Sequence, residues 1–198
     1  MVRITVVLFL LSPISLFAQE TMNVNPPYHQ ISDAPEVYNI NTIIARMIDG
    51  LGYRYYWATK DLTTTDLEYS PGNEGRPSKE VLTHIYGLTT VVLNSVIGKP
   101  NVRPATKEDL TWEEQRTKTL NQIKEASDIL KSKSAPLPQD INITFKRGDK
   151  TSEFPLWNLL NGPLADALYH TGQIVSFRRS SGNPVHPGVS VFMGKTKE

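Results

Sequence analysis

The chain of 198 residues has no cysteine and only four histidines. Without cysteine there is no disulfide scaffold, no metal site built on cysteine pairs and no lipid attachment through a lipobox. An excess of either charge is missing too. Twenty-one basic residues stand against 20 acidic ones, a formal charge of +1, so no global field recruits nucleic acid or anionic lipid. The chain also lacks a phosphate-binding G-x-x-x-x-G-K-[ST] loop, a G-x-S-x-G nucleophile elbow and any internal repeat. Gly50-Leu51-Gly52 begins a dinucleotide fingerprint, but Tyr55 occupies the third glycine position and no strand precedes it. What remains is a chain with 39% hydrophobic residues, long enough for one domain with a sizeable core.

The first eighteen residues read as a secretory signal peptide. Arg3 supplies the positive start, Ile4 to Leu11 is apolar, and Pro13 to Ala18 leads to a cut before Gln19. The run is short for a bilayer span and Pro13 interrupts it, so no membrane association is expected after cleavage. Losing Arg3 leaves 20 basic against 20 acidic residues, a formally neutral mature protein. Export without disulfides fits a periplasmic compartment best. Residues 19–32, with Pro26-Pro27, read as a flexible lead-in to a domain over 33–198.

Helical periodicity marks four segments in that domain. The first starts at Asp33-Ala34-Pro35-Glu36, carries Val37, Ile40, Ile44, Met47, Ile48, Leu51 and Tyr55, and fades after Trp57-Ala58. Gly50 and Gly52 weaken it unless they admit close packing. Core and bundle-mouth packing is expected of Tyr53-Arg54-Tyr55-Tyr56-Trp57, because on a helix these aromatics cannot form one stacking platform. The second helix runs from a capping Ser78 to about Ile97. The third opens on the capping box Thr111-Trp112-Glu113-Glu114 and stops near Ser134-Ala135-Pro136. Ile141, Ile143 and Phe145 then alternate with polar residues up to the Arg147-Gly148-Asp149 turn, which reads as a β-hairpin. The fourth helix spans about Leu156 to Ser180, with Arg178-Arg179 opposing its negative end. Val189, Val191 and Phe192 in the tail are expected to pack back on the body. The fold class is all-α: a four-helix bundle with a short β-hairpin between helices three and four, whose long connections allow more than simple up-down order.

Asp166 and His170 stand four apart on one face of the fourth helix. His84 lies at the margin of the second helix's apolar stripe. If those helices are neighbours, two imidazoles and one carboxylate converge with open positions for water or substrate. Gln173 and Tyr169 are candidate supporting groups, and Glu80 is an alternative carboxylate. The plainer reading is a hydrogen-bonded Asp–His pair beside a satisfied histidine. His29 and His186 sit in proline-rich flanks and are expected to be solvated, with no ligand role.

Over roughly residues 36–194 the chain resembles the DinB-like superfamily of metal-binding four-helix bundles. The resemblance rests on Trp57 followed by Asp66-Leu67-Glu68-Tyr69-Ser70-Pro71, and on Ser78-Lys79-Glu80-Val81-Leu82-Thr83-His84-Ile85. It rests equally on Tyr169-His170-Thr171-Gly172-Gln173-Ile174 followed by Arg178-Arg179 and Gly182-Asn183-Pro184. It implies a divalent metal on one histidine of the second helix, matched by His84, and on an H-x-x-x-H pair of a later helix. His170 matches the second histidine of that pair, and Asp166 stands where the first would be. The exchange shifts preference towards manganese or iron(II), with zinc and nickel still accommodated. Some relatives transfer small thiols or isomerise thiol adducts, and relatives often dimerise. The expected function is therefore metal-dependent hydrolase or transferase chemistry on a small molecule, with nucleic acid excluded as a partner. The alternative is a non-catalytic structural or ligand-binding bundle with a vestigial metal site.

Overall fold

The structure is a computed structural model that describes residues 26–72 and 74–197; the signal peptide expected at 1–18 lies outside the described residues. The fold is mostly helical, with two small β-sheets. Helix α1 (Ile40–Thr59) begins later than Asp33–Glu36, because Asn39 and Thr42 cap it reciprocally: Thr42 N donates to Asn39 Oδ1 at 3.0 Å and Asn39 N to Thr42 Oγ1 at 2.9 Å. Ile44, Ile48, Leu51 and Tyr55 are buried as expected, whereas Val37, Ile40 and Met47 are exposed. Tyr53, Tyr55, Tyr56 and Trp57 all lie in the core.

A short helix not anticipated from the sequence, α2 (Thr64–Glu68), is closed by a Thr63–Asp66 capping box. Helix α3 (Ser78–Val96) has Pro77, not Ser78, at its cap; Ser78 is already helical and its hydroxyl reaches Tyr69 O at 3.4 Å. Strand β1 (Asn101–Val102) follows, then α4 (Trp112–Lys131), opened by the Thr111–Glu114 box. After one 3₁₀ turn (Pro138–Asp140), β2 (Asn142–Arg147) and β3 (Lys150–Pro155) form the antiparallel hairpin. Gly148 takes its turn at φ 57°, and β1 adds to β2 in parallel.

The expected fourth helix is interrupted. A short α5 (Leu156–Leu159) leads into a wide turn over Leu160–Leu164, and α6 (Ala165–Ser180) begins beyond it. Pro163 has no N–H to donate, and Gly162 takes the non-helical φ −96°, ψ −105° that precedes it. Strands β4 (Val189–Ser190) and β5 (Lys195–Thr196) close the tail as a second hairpin. Its tip does not pack as expected: Val191 is exposed and Phe192 is 93% exposed.

Each of the four long helices touches two others: α1 packs on α4 and α6, and α3 packs on the same two. Hydrogen bonds give the directions. Thr83–Gln115 and Thr89–Gln122 make α3 and α4 parallel, while Arg116–Thr59 and Ser127–Ala45 make α4 antiparallel to α1. Successive long helices therefore do not simply alternate in direction.

The lead-in is not free over its described part. Tyr28 and Ile31 are buried, and Tyr28 fills a notch at Gly52, where a Cβ would come within 2.4 Å of its ring. Its hydroxyl donates to Asp49 at 2.9 Å, and Lys131 pairs with the same carboxylate at 3.1 Å. Ile31 N donates to Gly194 O at 2.8 Å, which ties the lead-in to the tail. Among the described residues no helix is long and apolar enough to cross a membrane.

Arg178 does not sit at the surface opposing its own helix end. It is buried, and its Nη1 donates to the carbonyls of Trp57 and Ala58 at 2.9 and 3.1 Å, satisfying the last turn of α1. Its Nε and Nη2 donate to Asn183. Asn183 in turn donates to buried Asp66 at 2.7 Å, and Ser181 donates to the other Asp66 oxygen.

Candidate metal centre

Helices α3 and α6 place the site. On α3, Val81, Leu82 and Ile85 are buried, which leaves His84 on the edge of that face. On α6, Ala167, Thr171 and Ile174 are buried, which leaves Asp166, His170 and Gln173 on the adjoining edge. The two helices are neighbours and run antiparallel: Phe177 lies near the α3 start through Tyr69, with ring centroids 5.7 Å apart, and the Asp166 end meets His84. The break at Gly162-Pro163 makes Asp166 a first-turn residue of α6, where a negative side chain suits the helix dipole.

His84 Nε2 lies 3.1 Å from Asp166 Oδ2, and His170 Nε2 lies 3.3 Å from Asp166 Oδ1. The two imidazole rings meet edge to face with centroids 4.8 Å apart. One ligand atom from each of the three residues falls within 4.8 Å of the others, so the group could hold a metal ion. Bonds of ~2.0–2.2 Å in a tetrahedral site put ligand atoms about 3.3–3.6 Å apart, close to the two Asp166–histidine distances already present. The side chains of His84 and Asp166 are 39% and 41% exposed and that of His170 is 16% exposed, so the group opens to solvent on one side.

The donor chemistry fits a cation. Gln173 Oε1 lies 2.7 Å from His170 Nδ1, a pairing that suits the tautomer with its proton on Nδ1 and Nε2 free for an ion. His170 Nε2 lies 3.3 Å from Asp166 Oδ1 without the geometry of a hydrogen bond, whereas His84 Nε2 and Asp166 Oδ2 form one at 3.1 Å. Gln173 Nε2 donates onward to the Tyr169 hydroxyl at 3.3 Å, so both supporting residues named from the sequence are connected to His170.

Other expectations resolve differently. Glu80 is exposed and does not join the group. His29 and His186 are exposed as expected, yet neither is isolated: their rings lie 5.1 and 5.9 Å from the Trp57 ring. Sequence reasoning missed the joining of Asp66, Arg178, Ser181 and Asn183, although all but Ser181 stood in the segments that carry the resemblance. Their helical periodicity held no signal for it, since Arg178 reads as a helix-end cation. Burial raises the Asp66 pKa, but hydrogen bonds from Ser181, Asn183 and both the N–H and hydroxyl of Thr63 outweigh it, and the carboxyl is held at about 2. No model of a known protein family matches this chain, and no curated protein matches it significantly.

Proposed function

We propose that this chain is an exported four-helix bundle of DinB-like type that holds a divalent ion on His84, Asp166 and His170 and performs hydrolase or transferase chemistry on a small molecule. The observation that carries the reading is the convergence of His84 from α3 with Asp166 and His170 from α6, one ligand atom of each within 4.8 Å of the others. The pairing of α3 with α6, and the meeting of the Asp66 segment with the Arg178–Asn183 segment, support the resemblance. Export rests on the signal-like segment around Arg3, and a periplasmic setting on that segment and the absence of cysteine.

Two imidazoles and a carboxylate suit manganese or iron(II), and also admit zinc or nickel. A bound ion would supply Lewis acidity and lower the pKa of a coordinated water or thiol. The protein's own share is positional. Gln173 sets the tautomer and ring angle of His170, and Asp166 presents one oxygen to each imidazole. The exposed edge of the group admits a small substrate from solvent, and Tyr169, itself largely exposed, offers a hydroxyl beside that edge.

A second reading has its own support. Asp166 already hydrogen-bonds His84 at 3.1 Å and lies 3.3 Å from His170, an arrangement that equally suits a vestigial site in a non-catalytic bundle. Turnover separates the two. The mature protein, stripped with a chelator and reloaded with manganese or zinc, is assayed against small esters, amides and thiol-transfer acceptors. We expect metal-dependent turnover that His84→Ala and His170→Ala abolish. Metal binding without any turnover would establish the non-catalytic reading instead.

A further inference from the structure

On α1, residues 40, 43, 47, 50 and 54 recur at steps of three and four and so share one face. Ile40, Ile43 and Met47 on that face are all exposed. The stripe ends in an open groove of about 410 Å³ lined by Arg46, Met47, Gly50 and Arg54 of α1 and Leu168 of α6. Leu168 lies two residues from both Asp166 and His170. At about 100° per residue that puts it on the opposite side of α6 from the candidate metal centre.

The two arginines are turned along the groove. Arg54 folds back over its own helix, its Nη1 donating to Gly50 O at 3.0 Å. A Cβ at Gly50 would lie 3.2 Å from that nitrogen, so glycine makes room for the fold-back. Arg46 donates to Ser32 O at 2.7 Å. Among the described residues neither guanidinium forms an ion pair. Most of their N–H donors are therefore uncommitted, and Arg54 is partly buried. Arg46 and Arg54 stand eight residues apart, about 12 Å along the helix, and both line the one groove, so an anion there meets two guanidinium donors. The adjoining surface is apolar, which selects an anion with a hydrocarbon part. From Ile40 to Met47 the stripe runs about 10 Å along the helix, the reach of a medium-length alkyl chain.

We propose that this groove binds an amphipathic carboxylate, its headgroup on Arg46 and Arg54 and its chain along Met47, Ile43 and Ile40. The site is independent of the metal centre. The test is titration calorimetry of the mature protein with octanoate, inorganic phosphate and 1-octanol as separate probes. Octanoate is expected to bind saturably, one per chain, and phosphate and octanol at least tenfold more weakly. Arg46→Gln and Arg54→Gln should each weaken octanoate about tenfold, and Met47→Gln should weaken it without altering the charge. Circular dichroism checks that each variant is folded; because Met47 and Arg46 lie on the surface, at least those two variants keep the test valid. The proposal is overturned if octanoate fails to bind, if it binds the variants equally well, or if phosphate binds as tightly. It is also overturned if the chain dimerises in sedimentation and octanoate leaves the dimer unchanged, because a second copy then covers the stripe.

Discussion

Replacing Asp66 by Asn tests whether one buried carboxylate ties α2, the end of α6 and the following turn together. Asp66 accepts from Thr63 N and Oγ1 at 2.8 Å each, from Asn183 at 2.7 Å and from Ser181. These bonds hold its carboxyl at about 2, against an ordinary 3.8. The depression corresponds to about 2 kcal/mol of stability at neutral pH. The sign follows from the direction: the folded pKa is the lower one, so the contribution is complete above about pH 5 and disappears as pH falls towards 2. An amide at position 66 must also turn one N–H₂ towards donors, so Asp66→Asn should destabilise the fold by about 2 kcal/mol or more at pH 7. Urea unfolding of both proteins at pH 7, 4 and 2.5 measures this. The gap between them should shrink by about 1.5 kcal/mol from pH 7 to pH 2.5. A gap that stays constant with pH, or one below about 0.5 kcal/mol at pH 7, would mean that the Asp66 carboxylate does not hold these elements together.

Gly52→Ala should destabilise by about 1–3 kcal/mol despite the better helix propensity of alanine, because the new Cβ displaces the Tyr28 ring from its notch; a neutral or higher melting temperature contradicts this. Arg178→Ala should lower stability by about 3 kcal/mol, since the Trp57 and Ala58 carbonyls lose their buried donor. In a double-mutant cycle with Asn183→Ala the two losses should be markedly less than additive. Gln173→Leu should leave the fold intact in circular dichroism and weaken manganese or zinc affinity about 10- to 100-fold, because His170 loses the acceptor that sets its tautomer.

Much of the site was legible because it needs only two local facts. Asp166 and His170 are neighbours by helix spacing, and His84 sits at the margin of an apolar stripe. One tertiary fact, the adjacency of α3 and α6, completes it. The α4 start was legible because Thr111 and Glu114 satisfy each other within four residues, and the hairpin because alternation and a Gly148 turn are local signals. Competing local signals hide the rest. Asp33 and Pro35 look like a helix start, but Asn39 and Thr42 form the reciprocal cap further on. Pro163 lies inside an apolar run whose period continues through it, so the interruption before Asp166 passed as helix. Tyr28 follows two prolines and reads as linker, and only the missing side chain at Gly52, far along the chain, explains its burial. Arg178 reads as a surface cation until the α1 carbonyls it serves are brought to it.

If His84, Asp166 and His170 hold a metal ion, the purified protein carries it. The direct measurement is the metal content of the purified mature protein by elemental analysis, repeated on His84→Ala and His170→Ala. About one equivalent of a divalent ion is expected in the parent and none in either variant. A folded parent that is metal-free and takes up neither manganese nor zinc on addition, or variants that retain the parent's full equivalent, would contradict metal binding by this group.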